Sequence, residues 1–186
     1  MTPLFEAALE LQDFFIRRQW RFCLIGGIAL LRWGEPRFTR DVDVTLLTGF
    51  GHEDDFITPI LASGYRGRFP DAAEFARRNR VLLIDSPQGI PIDVALAGLP
   101  FEALMMERAS RYEFETGCFL TTCSAEDLIV LKLFAFRTRD VLDAETIAVR
   151  QHGCLDWAYI QTHLAPLAQL KEQPEIMDVF SKLRTT

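Results

Sequence analysis

Gly26 and Gly27 close a short apolar run, Phe22 to Ile25, and open a stretch of helical character from Ile28 to Trp33 that stops at Gly34 and Pro36. Fourteen positions after Gly27 the chain reads Asp41-Val-Asp43-Val, the start of an alternating, Val-rich segment that runs to Leu47. Strand, glycine turn, short helix and second strand in this order require a mixed α/β fold. A double glycine at such a turn lets backbone N–H groups approach an anionic group closely. The strand period of two puts Asp41, Asp43 and Thr45 on one face and Val42 and Val44 on the other. Asp is unfavourable in strands. Two carboxylates so close repel each other unless a cation joins them, and a hard divalent ion with oxygen ligands, most naturally Mg²⁺, meets that demand. The competing reading is an incidental pair on a solvated strand face.

The rest of the chain extends the pattern. Leu4 to Gln19 has the spacing of an amphipathic helix, with Leu4, Ala8, Leu11, Phe14 and Phe15 on its apolar side. Further helices are expected over Asp54 to Ser63, Asp71 to Arg78 and Pro100 to Arg108. Arg80 to Asp85 and Ile90 to Ala97 read as strands of a hairpin turned by Ser86-Pro-Gln-Gly89, and Glu113 to Thr122 as β structure broken at Gly117. Ser124, with Asp127 three residues on, is an N-cap signal, and the chain is helical from Leu128 to Leu183. The expected organisation is an α/β core over 1–122 and a helical part over 123–186 packed on it.

Two further places carry chemistry. Asp93 sits in the apolar strand Pro91 to Ala97. If that strand lies beside Asp41 to Leu47, three carboxylates converge, as a two-metal phosphoryl-transfer site requires; alone, Asp93 is a solvated strand residue. Lys132, one of three lysines, is embedded in the apolar segment Leu128 to Phe136. It either faces something negative or snorkels and pairs with Glu126 or Asp127. Were 128–150 one helix, eleven residues would bring Lys132 and Asp143 nearly onto one stripe, although Thr138 marks a break. Arg66, Arg68, Arg77, Arg78 and Arg80 either line a groove for RNA or triphosphate or form a solvated face paired with Asp71 and Glu74. Trp33, Phe38, Phe14 and Phe15 read as core residues.

The 20 basic and 26 acidic residues leave a net charge of −6, which excludes a basic coat for non-specific DNA binding. No apolar run is long enough for a membrane span, and Met1 to Glu10 lacks the layout of a signal peptide, so the expected compartment is the cytoplasm. Cys23, Cys118, Cys123 and Cys154 lack zinc-ligand spacing and read as free thiols.

Gly26-Gly27, Asp41-Val-Asp43 and Asp93 together resemble the nucleotidyltransferase superfamily with a polymerase-β-like fold. The run Arg37-Phe-Thr39-Arg40-Asp41-Val-Asp43, with Gly26-Gly27-Ile28-Ala29-Leu30 before it, resembles more narrowly its AbiEii-type branch, which includes toxins of type IV toxin–antitoxin systems. Lys132 followed by Arg139-Asp140-Val-Leu-Asp143 is similar to that branch's helical motif. The resemblance spans about residues 20 to 150. At Ile28 the chain departs from it, since that position often carries a hydroxyl.

What the resemblance implies is an Mg²⁺-dependent nucleotidyltransferase that moves a nucleoside monophosphate from an NTP to an RNA (a tRNA end), a protein or a small molecule. Asp41, Asp43 and Asp93 would be catalytic and metal-holding, with room for two metals. Gly26, Gly27, Arg37, Thr39, Arg40, Lys132, Asp140 and Asp143 would bind nucleotide. A cognate antitoxin is the implied partner. The rivals are an inactive nucleotide-binding or antitoxin-like protein of the same fold, and a helical interaction protein with an incidental Asp-x-Asp.

Overall fold

The computed structural model describes residues 1–185. The chain divides into two compact units. One comprises Met1–Ile28 and Phe38–Cys123; the other comprises Ala29–Arg37 and the described residues from Ser124 onward. Residues 29–37 therefore group with the helical unit although they lie early in the chain.

The first unit opens with α1 (Pro3–Arg17), capped by Thr2, whose Oγ1 accepts from the Phe5 N–H at 3.4 Å. Pro3 sits at the first turn, where its missing N–H costs nothing. Strand β1 (Phe22–Leu24) leads into α2 (Gly26–Trp33), which begins on the double glycine itself. Then come β2 (Val42–Leu47), α3 (Asp54–Leu61), β3 (Arg66–Gly67), α4 (Ala72–Asn79), β4 (Val81–Asp85), β5 (Pro91–Ala97), α5 (Pro100–Arg108), β6 (Ser110–Glu115) and β7 (Cys118–Thr122). All seven strands form one mixed sheet in the order β3-β4-β5-β2-β1-β7-β6.

The alternation in β2 explains its place near the centre of that sheet. Val42, Val44 and Leu46 are buried in the core, while Asp43 on the opposite face stays half-buried. The core joins them to Leu11 and Phe15 of α1 and to Leu82, Ile84, Ile92 and Val94 of the β4–β5 hairpin. Each such side chain, fully buried, stabilises the unit by about 1.5–3 kcal/mol. Ser86 holds the hairpin turn, its Oγ accepting from the N–H groups of Gln88 (3.3 Å) and Ile90 (3.1 Å). Strand β3 has only two residues, too few to show any alternation, and was not expected.

The helical unit contains α6 (Ala125–Ala135), α7 (Thr138–Arg150), α8 (Trp157–Leu170) and α9 (Glu175–Leu183). Ser124 caps α6 as expected, accepting from the Asp127 N–H at 3.1 Å. Its core includes Leu128, Ile129, Leu133, Ile147, Ile160, Leu164, Ile176 and Phe180. Gly34 packs here: a Cβ on it would stand 2.5 Å from Leu30 Cδ1 and 2.8 Å from Thr146 Oγ1. The helix over 128–150 is broken at Phe136, which adopts the left-handed conformation at φ 57° and donates its N–H to the Lys132 carbonyl at 3.0 Å.

Among the described residues no helix is long and apolar enough to cross a membrane. Among the described residues no disulfide joins the four cysteines, three of which are buried. Phe38 is not a core residue: its 75% exposure contradicts the sequence reading. It lies in the segment between α2 and β2, beside the Arg40 guanidinium at 5.3 Å from its ring centre.

Candidate active site

In the sheet unit Asp43 of the Asp-x-Asp segment rests on the glycine turn, and Asp41 is held by Thr39. Asp43 Oδ2 accepts from the Gly27 N–H at 3.4 Å, and the Asp43 carbonyl accepts from the Ile25 N–H at 2.9 Å. Gly26 has φ +57°, and a Cβ there would lie 1.9 Å from Asp43 Oδ2. A Cβ on Gly27 would lie 2.2 Å from Thr39 Oγ1, and that hydroxyl donates to Asp41 Oδ1 at 3.1 Å. The glycines are therefore required by the close approach of Asp43 and Thr39. Thr39, expected among nucleotide-binding residues, acts in this structure as the brace of Asp41. Ile28 is fully buried and offers nothing to a ligand.

Strand β5 lies parallel to β2, with Asp93 directly opposite Asp43. The condition set for Asp93 is thus met: it shares a sheet face with the Asp-x-Asp segment one strand away, a spacing of about 4.8 Å. Asp93 carries a partner that the sequence did not indicate. Arg68 Nη2 donates to Asp93 Oδ1, while Arg68 Nε donates to the Ile84 carbonyl at 3.2 Å and lies 3.7 Å from Asp85 Oδ1. Arg68 was one of five clustered arginines, and only the placement of β3 reveals its target. Arg78 pairs with Glu74 as the paired-face reading of that cluster expected, whereas Arg77 and Arg80 are held by Asp54 and Glu53 instead of by Asp71.

Mg²⁺ is the ion that this pattern implies. The donors suit it: Asp41, Asp43 and Asp93 offer hard carboxylate oxygens on and beside one strand. Among the described residues no group of three or more His, Cys, Asp or Glu side chains is arranged to hold a metal by itself. The convergence of three carboxylates expected from the sequence is therefore not present, although β5 does lie beside β2, and the register pair Asp43 and Asp93 leaves two carboxylates for an ion that is usually held by one or two plus substrate phosphates.

In the helical unit the turn after α6 brings Lys132 against both acids of the Asp-x-x-Asp segment. Lys132 Nζ lies 2.9 Å from Asp140 Oδ1 and 2.8 Å from Asp143 Oδ2. It does not pair with Glu126 or Asp127; Asp127 accepts instead from Tyr159 Oη at 2.6 Å and Ser124 Oγ at 2.7 Å. Arg37 grips Asp143 with two parallel bonds, Nε to Oδ1 at 3.0 Å and Nη2 to Oδ2 at 2.9 Å. Arg137, rather than Arg139, pairs with Asp140. The side chains of Lys132, Asp140 and Asp143 are only 8%, 3% and 6% exposed.

Burial alone would raise both carboxyls. The hydrogen bonds and charges of Arg137 and Lys132 outweigh it at Asp140, those of Arg37 and Lys132 outweigh it at Asp143, and both are held below the ordinary carboxylate value. The spacing of Arg137 and Asp140, three apart at a helix start, was a signal that sequence reasoning passed over.

Replacing Gly26 with Ala should cost about 1–3 kcal/mol from the left-handed backbone alone, with further loss from displacing Asp43. Urea unfolding checks this; an unchanged midpoint would show that the turn relaxes without strain.

A sequence model of the family described as "Nucleotidyl transferase AbiEii toxin, Type IV TA system" matches residues 19–152. No curated protein sequence matches the chain. Among solved structures, an antigenic nucleotidyltransferase-like protein from Paracoccidioides brasiliensis aligns with TM-score 0.53 and 17% identity, over 96% of this chain and 92% of that one. The antibiotic-resistance factor ANT(2'')-Ia aligns with TM-score 0.59 and 13% identity, over 90% and 92%. The lincosamide antibiotic adenylyltransferase LnuA, in a lincomycin-bound structure, aligns with TM-score 0.52 and 13% identity, over 76% and 94%. At these identities the likeness establishes the α/β nucleotidyltransferase fold.

Proposed function

This chain belongs to the AbiEii nucleotidyl transferase family, and we propose that it is an Mg²⁺-dependent enzyme acting on an acceptor hydroxyl as the toxin of a toxin–antitoxin pair. Transfer of a nucleoside monophosphate is the family's general reaction. The acceptor hydroxyl, on an RNA, a protein or a small molecule, forms a bond to the α-phosphorus. The bond from that phosphorus to the oxygen bridging to the β-phosphate breaks, and pyrophosphate leaves.

The observation that carries the reading is the register of Asp43 against Asp93, with the glycine turn seated on the Asp-x-Asp segment. Asp41 and Asp43 would hold the metal–triphosphate, and Asp93 would complete that cation-holding group beside the attacking hydroxyl, where it would help to take up its proton. Mg²⁺, when bound to these carboxylates, supplies charge neutralisation and polarises the phosphoryl oxygens. Thr39 keeps Asp41 in place, and the Gly26-Gly27 backbone approaches the phosphates as well as Asp43. Arg40, exposed three positions before Asp43, adds positive charge for the leaving pyrophosphate. Lys132, Asp140 and Asp143 act through Arg37, whose guanidinium Asp143 fixes in one orientation for an anionic group. The partner is a cognate antitoxin, a reading supported by the family's description.

The test is a thermal-shift titration with each NTP, with and without Mg²⁺. Stabilisation by one or more NTPs that requires Mg²⁺ is expected, and about 2.7 kcal/mol corresponds to ligand at 100 times its Kd. No stabilisation by any NTP would reject a preformed nucleotide site.

A further inference from the structure

Arg68 stands where the reaction needs a free carboxylate. It follows the two-residue strand β3 at the sheet edge, and its backbone N–H donates to the Leu83 carbonyl at 3.1 Å. Leu83 is itself the register partner of Asp93. The side chain therefore reaches across the whole width of β4 to meet a carboxylate on β5. Nε anchors it to the Ile84 carbonyl on the way, and Nη2 closes on Asp93 Oδ1. Only a forked guanidinium can make both bonds at once; a lysine ammonium would have to choose. Among the described residues Arg68 is the one hydrogen-bond or ion-pair partner of Asp93. A second acceptor for the same guanidinium, Asp85, lies within 3.7 Å of its Nε.

Asp43 and Asp93 are register neighbours, and two carboxylates so placed need a cation. In this structure Asp93 has its cation in Arg68. We propose that Arg68 is a positioning residue that acts as the built-in counter-ion of Asp93 and yields it to the divalent cation when the metal–nucleotide binds, with Asp85 there to receive the displaced guanidinium. This rests on the reading of Asp41, Asp43 and Asp93 as the cation-holding group. Its consequence is that the free site is held back from divalent ions, so that cation and NTP enter together.

Titration of Mn²⁺ alone, followed by calorimetry and by thermal shift, tests it on wild type, Arg68→Gln, Arg68→Lys, Asp93→Asn and the Arg68→Gln/Asp93→Asn pair. Arg68→Gln should tighten Mn²⁺ binding about fivefold, the equivalent of one partly exposed ion pair. It should also lower the cation-free Tm. Arg68→Lys should fall between Gln and wild type. In the Asp93→Asn background the gain from Arg68→Gln should vanish. A merely structural arginine would lower Tm without tightening Mn²⁺ binding, so an unchanged or weaker affinity in Arg68→Gln overturns the proposal. So does a gain that survives Asp93→Asn. The catalytic reading stands or falls separately, on Mg²⁺-dependent NTP stabilisation of the wild type.

Discussion

Asp43→Asn lowers the rate of NMP transfer on the order of 10³-fold, an increase of about 4 kcal/mol in the barrier, and changes the unfolding free energy by less than about 1 kcal/mol. The two halves of this expectation have separate causes. The expected fall in rate follows because an amide keeps the shape of the carboxylate but not its charge, and a metal–triphosphate held as proposed would lose the anionic oxygen closest to the glycine turn. The fold survives because the retained carbonyl oxygen can still accept from the Gly27 N–H, a bond that is long at 3.4 Å in any case. The backbone bond from the Ile25 N–H to the residue-43 carbonyl does not involve the side chain. Half-burial of Asp43 points the same way, since its side chain is not fully withdrawn from water. Single-turnover transfer assays beside urea unfolding read both quantities. Retention of more than a tenth of the rate would remove Asp43 from the metal-holding group, and a large loss of stability would mark it as structural.

The parts of this site that were legible in the sequence are those fixed by local rules. A glycine turn after an apolar run, a period-two strand and a capped helix after Ser124 each lie within a few residues, and the structure has all three, although the strand starts at Val42 and so holds Asp43 but not Asp41. The pairing of β5 with β2 could be stated only as a condition, because strand order in a mixed sheet is set by packing between distant segments. Arg68 could not be assigned at all. Its reach to Asp93 depends on a two-residue strand that carries no periodic signal and on the strand it crosses.

Phe38 shows the opposite failure. Hydrophobic type suggested the core, yet the segment between α2 and β2 leaves its ring in solvent. Lys132 lies between these cases. The sequence marked it and its two aspartates correctly as a group, but they meet through a reversal at Phe136 and not along one helical stripe.

Lys132→Met should destabilise the protein by about 3–5 kcal/mol at neutral pH, the cost of leaving buried charge without its partner. Methionine keeps most of the stem and its packing, so the loss isolates the ammonium. Without it, Asp140 and Asp143 lose their shared cation, and Arg137 and Arg37 each remain on one carboxylate only.

The pH dependence separates this electrostatic role from a packing role. In the wild type both carboxyls are held below their ordinary value, so the stability they contribute is fully present above the unfolded carboxylate pKa of about 3.9. It is lost only as pH falls below that, through the lowered folded values. In Lys132→Met the opposing push from burial is less compensated, and the carboxyls take up protons at higher pH than in the wild type. Protonation then removes the less compensated buried charge, so the stability gap between the two proteins should be widest near pH 7 and narrow steadily toward pH 4. Urea unfolding across that range measures the gap. A difference that stays constant with pH would reduce Lys132 to a packing residue, and a difference near zero at pH 7 would show that Arg37 and Arg137 suffice to hold the two aspartates.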